Sequence, residues 1–166
     1  MRKYLILALF FIISQLSFSQ KDVSTMDIRN FISTNLNELE NLYLDLHQNP
    51  ELSFHEFETS KKMATILKDL GFEVTSNFGG NGVVGIFKNG KGPVVLVRTD
   101  MDALPLVEKT NLPYASTITF QTEEGKNVGV MHACGHDIHM SVWAGTASTL
   151  IKFKNFWKGT LIMIAQ

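Results

Sequence analysis

The chain has 166 residues, 45% of them hydrophobic, with 15 basic against 16 acidic residues and a single cysteine. A near-neutral charge without a basic run argues against nucleic acid as a partner. The length allows one domain at most. One cysteine cannot form an intramolecular disulfide, so Cys134 is a metal ligand, a reactive thiol or a small buried side chain.

The first 19 residues have the layout of a secretory signal peptide. Met1-Arg2-Lys3 gives a basic start, the segment from Tyr4 to Leu16 is almost wholly apolar, and serines occupy positions −3 and −1 of a cleavage site. The apolar run is shorter than the ~20 residues that a membrane span needs. We therefore expect export to the periplasm or the medium, with a mature chain that begins at Gln20 and has no membrane attachment.

Two helices are predicted next. Apolar residues recur at helical spacing from Ser24 to about His47. The tetrapeptide Ser53-Phe54-His55-Glu56 has the composition of a capping box and predicts the start of a second helix, with Leu52 and Phe57 placed for a hydrophobic staple. This helix should run to about Leu70, because Gly71 is a natural residue after a helix end.

The pattern then changes to short apolar runs. Strands are predicted at 83–87 and 93–97, and the second run is continuous, as in a strand buried on both faces. A hairpin is expected within 110–127, a helix over 137–153 with Asp137 as its cap, and a buried strand over 159–165. The last strand, the helix before it and the strand at 93–97 would form a βαβ unit with a right-handed crossover.

Residues 132–139 contain three of the five histidines and the only cysteine. In an extended backbone, residues two apart point to the same side, so His132, Cys134 and His136 would share one face. A thiolate with imidazoles suits zinc and other borderline metals better than magnesium or calcium. The segment therefore favours a metal site, and the alternative is a buried thiol among hydrogen-bonded histidines.

Two aspartates follow the apolar run at 93–97. Sites in such sheets form beyond the carboxyl ends of the strands, so Asp100 and Asp102 should meet the Cys/His cluster at one sheet edge. Carboxylates there can bind metal, orient a metal-bound histidine or tune a neighbouring pKa. The alternative is a solvated turn in which Asp102 caps a backbone amide.

Three motifs in order carry a resemblance to a known family. They are His47-x-x-Pro50-Glu51-Leu52-Ser53, Arg98-Thr99-Asp100-Met101-Asp102-Ala103-Leu104-Pro105 and Met131-His132-Ala133-Cys134-Gly135-His136-Asp137-Ile138-His139. Together they closely resemble the metal-dependent amidohydrolases related to aminoacylase and the zinc carboxypeptidases, in the branch of hippurate hydrolases and plant auxin-conjugate hydrolases. The resemblance implies an α/β metallopeptidase catalytic domain, here incomplete, with a largely parallel sheet flanked by helices.

The resemblance also implies residue roles. Cys134 and His136 match two metal ligands of the family. Asp102 matches the catalytic aspartate that supports a metal ligand and the general-base glutamate. The complete site would hold two divalent metals, zinc or manganese, with cobalt or nickel as alternatives. His47, Pro50 and Glu51 are interpreted as structural residues that set the turn between the first two helices. The family motif leaves open the roles of Asp100, His132 and His139.

The implied reaction is hydrolysis of a small N-acyl amino acid or peptide to a carboxylic acid and an amino acid, by a protein whose full-length form is a homodimer. Family members are far longer, and their sequence continues past the equivalent of Gln166 into a segment with the general-base glutamate. We therefore expect residues 20–166 to be the N-terminal portion of the catalytic domain, without the dimerisation domain. The alternative is a catalytically dead remnant that binds metal weakly or acts only by interaction. A redox-sensing thiol is disfavoured, because no second cysteine could resolve it.

Overall fold

The computed structural model describes residues 22–166, so the predicted signal peptide at 1–19 and its cleavage site lie outside the described residues. Within this range, no helix is long and apolar enough to cross a membrane. The described elements, in chain order, are α1 (Thr25–Gln48), α2 (Phe57–Asp69), β1 (Glu73–Phe78), β2 (Gly82–Asn89), β3 (Val94–Thr99), β4 (Thr119–Gln121), β5 (Asn127–Gly129), α3 (His136–Lys152), a 3-10 turn (Lys154–Phe156) and β6 (Gly159–Ala165).

Helix α1 begins where the sequence predicts. The hydroxyl of Ser24 accepts a hydrogen bond from the backbone N–H of Asp27 at 3.1 Å, which satisfies one of the free donors at the helix start. The helix packs against α3, and Gly145 permits a close approach, since a Cβ there would lie 2.9 Å from a methyl group of Leu39. The two helices thus lie side by side, and α1 ends near the first turn of α3.

Helix α2 does not begin with the predicted capping box. It starts at Phe57, its N-cap Glu56 makes no side-chain cap bond, and Phe57 is exposed rather than part of a hydrophobic staple. The cap comes instead from Glu51, whose carboxylate accepts hydrogen bonds from the backbone N–H groups of Glu58 at 3.1 Å and Thr59 at 2.8 Å. The Glu51 carboxylate, seven residues before Glu58, therefore caps the helix in place of the local motif. Its negative charge also interacts favourably with the positive amino end of the helix dipole.

The α/β fold class is confirmed, but the sheet is not largely parallel in the described residues. Four strands lie in the order β1-β2-β6-β3. The β1–β2 and β2–β6 pairings are antiparallel, and only β3 and β6 run parallel, from Val94 opposite Thr160 to Thr99 opposite Ala165. Because α3 lies between these two strands in the chain, the predicted βαβ unit is present. Strands β4 and β5 form a separate antiparallel hairpin, which begins in the range predicted for a hairpin, 110–127, and ends two residues beyond it.

The edges of the sheet explain two differences from the sequence expectations. Strand β1 is mostly exposed and lacks an apolar pattern, so nothing in its sequence indicated a strand. Strand β3 was expected to be buried on both faces, yet Val94, Val95 and Leu96 are exposed. The reason is its position, since β3 pairs with β6 on one side only and lies at the sheet edge within the described part.

The hydrophobic core lies between the helices and the central strands. It is formed by fully or nearly fully buried side chains from all three helices and from β2 and β6, among them Leu46, Met63, Leu67, Met140, Trp143, Val83, Leu161 and Met163. The strand residues alternate between buried and half-buried along β6, as expected for a central strand covered by helices on one face. This core fixes α3 against the sheet, and the amino end of α3 carries the candidate site.

Candidate metal centre

The site forms at the carboxyl ends of β3 and β6. The backbone N–H of Met101 donates to the carbonyl of Gln166 at 2.8 Å, which holds the segment after β3 close to the end of β6. Two hydrogen bonds between Leu104 and Met131, of 2.9 and 3.0 Å, then bring the chain after Asp102 beside the Cys/His segment. The two motifs therefore meet at one edge of the sheet, as their position after a strand and before a helix predicted.

The Cys/His segment is a turn rather than an extended strand. The N–H of Gly135 donates to the carbonyl of His132 at 3.2 Å, so Ala133 and Cys134 form the corner. Gly135 is the N-cap of α3 and adopts a left-handed φ of +74°, a conformation that favours glycine. The turn directs neighbouring side chains apart, which means that the prediction of one shared face is wrong. His132 is buried, whereas Cys134 is exposed and forms no disulfide.

His136, the first residue of α3, is oriented by Asp102. Its Nδ1 lies 2.8 Å from the Asp102 carbonyl oxygen and 3.0 Å from the carboxylate Oδ1. Two acceptors at this nitrogen require that Nδ1 carries the proton, so the lone pair of Nε2 is available to bind a metal ion. Orientation of a metal-binding histidine through its other nitrogen is a common arrangement, and it agrees with the supporting role expected for Asp102.

Two other residues of the motifs have different surroundings. Asp100 does not join Asp102, because its carboxylate pairs with the Arg98 guanidinium at 2.6 and 3.2 Å. His139 is exposed one turn along α3, and its ring centroid lies 6.0 Å from that of His136. The structure therefore brings Asp102 into contact with His136, exposes Cys134 two residues before that histidine, and leaves Asp100 paired with Arg98.

His132 is the unusual side chain of the cluster. It is 4% exposed, and neither ring nitrogen has a hydrogen-bond partner. Burial lowers the pKa of His132, more strongly than the nearby Asp137 carboxylate raises it, so the ring is neutral near pH 7. A buried imidazole without a partner is costly, and such groups concentrate at functional sites.

The donor set fits a borderline divalent metal in part. A free exposed thiol and an oriented imidazole are the ligand types that zinc prefers. Among residues 22–166, no group of three or more histidine, cysteine, aspartate or glutamate side chains is arranged to hold a metal ion. Of the two ligands that the sequence resemblance implies, Cys134 is exposed and His136 is oriented by Asp102, whereas His132 is buried.

A buried charged network behind the site was not predicted from the sequence. His47 near the end of α1 contacts Asp137 at 2.6 Å and Glu108 at 3.1 Å. Asp137 was expected to cap α3, but the N-cap is Gly135, and the carboxylate of Asp137 reaches across to α1 instead. These contacts join residues 90 and 61 positions apart, so no local sequence pattern announces them. The clue was the first motif, which supplied His47 and was interpreted only as a turn.

Two tyrosines cover this network. The ring of Tyr114 lies 5.4 Å from His47 and 6.1 Å from Tyr43, centroid to centroid, with edge-on geometry. Burial, a hydrogen bond to Tyr114 and the nearby carboxylates raise the pKa of Tyr43 to about 12. Both the charged groups and their aromatic cover therefore lie against the amino end of α3.

Comparison with known proteins tests the family resemblance. Residues 96–166 match the peptidase family M20/M25/M40. The chain is 37% identical over 147 residues to thermostable carboxypeptidase 2 of Saccharolobus solfataricus, covering 85% of this chain and 35% of that protein. It is 48% identical over 103 residues to hippurate hydrolase of Campylobacter jejuni, covering 61% of this chain and 24% of that protein.

A solved structure gives the same result. The fold matches the crystal structure of the Bacillus subtilis YXEP protein, described as a dinuclear metal-binding peptidase of the M20 family, with a TM-score of 0.68 and 40% identity over 78% of this chain and 34% of that chain. Fold and motifs together are those of the peptidase and amidohydrolase class. The chain belongs to the M20/M25/M40 peptidase family, which confirms the resemblance. It spans about a third of the length of that carboxypeptidase.

Proposed function

We propose that this chain is part of a metal-dependent hydrolase that cleaves the amide bond of N-acyl amino acids or small peptides. The observation that carries the proposal is the His136 ring, held by two oxygens of Asp102, two residues after the exposed Cys134. Hippurate hydrolase and carboxypeptidase relatives support a substrate in which an amide joins an amino acid to an acyl group.

The residues of this chain have separate tasks in such a reaction. Cys134 and His136 would hold the metal, zinc or manganese with cobalt or nickel as alternatives, and a complete site would contain two ions. A bound divalent metal supplies a Lewis acid for the substrate carbonyl and lowers the pKa of water. Asp102 keeps the proton of His136 on Nδ1, so that Nε2 is free to bind. A catalytically dead remnant that binds metal weakly or acts only by interaction is the second candidate. It is supported by the absence, among residues 22–166, of a group of three or more side chains arranged to hold a metal ion.

Metal binding and turnover measured on the same preparation test the proposal. The protein, purified as its own gene encodes it, is assayed with hippurate and other N-acyl amino acids after loading with zinc or manganese. Bound metal and metal-dependent turnover, both lost in His136→Ala, are expected. Weak metal binding without turnover would favour the remnant. Full metal content in His136→Ala would contradict the assignment of this residue as a ligand.

We also propose that the protein is exported after cleavage behind Ser19, that residues 20–166 are the N-terminal portion of the catalytic domain, and that the complete form is a homodimer. The basic and apolar leader supports export, and the one-third coverage of the relatives supports a longer catalytic protein. The mass of secreted protein tests the cleavage, because a mass that retains the apolar segment would contradict it. Sedimentation analysis tests the oligomeric state.

A further inference from the structure

Three charged side chains are buried together behind the candidate metal centre. His47 lies near the end of α1, Asp137 in the first turn of α3, and Glu108 in the loop between β3 and β4. Nδ1 of His47 donates to Asp137 Oδ2 at 2.6 Å, and Nε2 donates to Glu108 Oε1 at 3.1 Å. The side chains are only 7%, 4% and 0% exposed for His47, Asp137 and Glu108, respectively.

The network is charged and fully hydrogen-bonded. Both ring nitrogens of His47 face carboxylates, so both carry protons and the ring is an imidazolium. Burial alone would lower the pKa of His47, but the hydrogen bonds to Asp137 and Glu108 outweigh it and raise the pKa. The second oxygen of Asp137 accepts from the N–H of Ile138 at 2.8 Å, and that of Glu108 accepts from the N–H of Ser116 at 2.6 Å.

Stability alone does not account for such a network. Buried ion pairs lose much of their mutual attraction to desolvation, and apolar side chains of similar volume stabilise a fold as well or better. A charged, directional network instead fixes the relative position of the segments that it joins. Here it joins the end of α1, the loop at Glu108 and the amino end of α3, and Asp137 directly follows the ligand His136.

We propose that His47 is a positioning residue for the metal centre. By holding Asp137 and Glu108 in place, it fixes the first turn of α3, and with it the ring of His136 and the turn that carries Cys134. The inference rests on the proposed function, because it requires that these two residues bind the metal. The inference goes beyond the proposed function because it assigns His47, from the first sequence motif, a role at the metal site and not only in the turn between two helices.

Metal affinity in His47→Gln tests the proposal. Glutamine retains a hydrogen-bonding amide but cannot bridge two carboxylates with a positive charge. Zinc affinity is measured by competition with a chromophoric chelator, and cobalt(II) loading reports the Cys134 thiolate through its near-ultraviolet charge-transfer band. We expect about tenfold weaker zinc binding, at the lower end of the range for partners that act behind the ligands. The cobalt band should weaken or shift as well.

A control separates positioning from general stability. Leu67 is fully buried between α2 and β2, away from the metal motifs, so Leu67→Ala should lower the melting temperature without changing zinc affinity in the folded protein. All titrations are made below the melting temperature of each variant. Glu108→Gln removes the charge of one of the two carboxylates that His47 contacts. This variant provides the test if His47→Gln does not fold, and it should also weaken zinc binding.

The outcomes are distinct. Weaker zinc binding and an altered cobalt spectrum in His47→Gln, with normal values in Leu67→Ala, support the positioning role. Unchanged zinc affinity and an unchanged cobalt band in a destabilised but folded His47→Gln overturn it, since the network would then be only structural. If the wild-type protein binds no metal, or binds it equally well in Cys134→Ser, the proposed function itself is wrong and the inference falls with it.

Discussion

Substitution of Asp102 by alanine tests how the His136 ligand is held. The Nδ1 proton of His136 is shared between two oxygens of Asp102, the carbonyl at 2.8 Å and the carboxylate Oδ1 at 3.0 Å. Asp102→Ala removes the carboxylate, but the backbone carbonyl stays. The proton should therefore remain on Nδ1, and the Nε2 lone pair should still be presented to a metal.

The size of the effect follows from what is removed. Loss of a group that orients a metal-binding histidine typically weakens metal affinity by about 10- to 100-fold. One of the two acceptors survives in Asp102→Ala, and the Asp102 side chain is 29% exposed, so water can take the place of the carboxylate. We expect the lower limit, about tenfold or about 1.4 kcal/mol. The melting temperature should change little, because the side chain is only half-buried.

Zinc competition against a chelator, with Asp100→Ala as the matched control, provides the measurement. Asp100 lies two positions away, but its carboxylate pairs with Arg98 and not with His136, so its removal should leave zinc affinity unchanged. A loss well beyond 100-fold in Asp102→Ala would refute the reasoning, because the carboxylate would then be a ligand itself. No loss at all would show that the carbonyl alone orients the ring.

Three further predictions concern the thiol, a helix cap and the pH dependence of stability. Cys134→Ser should lose bound metal by elemental analysis, because an alcohol is a far poorer ligand for a borderline metal, and His55→Ala should keep it. Glu51→Ala should lower the free energy of unfolding in urea by about 1–2 kcal/mol, because two backbone donors of α2 lose their acceptor. The stabilisation from His47 should be complete below its ordinary pKa of 6.5 and be lost as the pH rises through its raised folded-state pKa.

Each of these predictions has a contradicting result. Full metal content in Cys134→Ser would mean that the thiol is only a surface side chain. An unchanged urea midpoint in Glu51→Ala would show that water caps α2 equally well. If denaturation midpoints above pH 6.5 are as pH-dependent in His47→Gln as in the wild type, another group is responsible. The titratable groups that face His47 are Asp137, Glu108, Tyr43, Tyr114 and His132.

Two of the groups that face His47 do not account for a loss of stability just above pH 6.5. Tyr43 has its pKa raised to about 12 and stays neutral at that pH. The lowered pKa of His132 places its contribution below 6.5, where stability should rise with pH as the unfolded chain gives up its extra proton. Of His47 and His132, only His47 should therefore contribute a loss of stability above pH 6.5.

The sequence predicted those elements whose environment is written in their own residues. Helix α1 has a serine cap and an apolar face, and β6 alternates between buried and half-buried positions, so both were found within one residue of their ends. Strand β1 was missed because an exposed edge strand needs no apolar alternation. Strand β3 was misjudged because an apolar run does not encode which of its sides has a neighbour.

In the site, too, local motifs could be identified from the sequence, whereas contacts between distant residues could not. Asp102, Cys134 and His136 lie in short motifs, so the sequence could single them out as candidates, and their roles stay a prediction. The partners of His47 lie 61 and 90 positions away, and only the three-dimensional fold reveals them. The capping of α2 by Glu51 was hidden for a related reason, since a cap from seven residues upstream falls outside the local motif.

Residue type alone could not rank the histidines around Asp137, but their environments do. His47 donates from both ring nitrogens to carboxylates and has no lone pair left for a metal. His132 is neutral, but it is buried at 4% exposure behind the turn. His136 alone of these three has one nitrogen fixed by Asp102 and the other free in a partly exposed ring next to a free thiol. The three rings thus differ in environment: His47 is bound by two carboxylates, His132 is neutral in the interior, and His136 is the one that our proposal assigns to the metal.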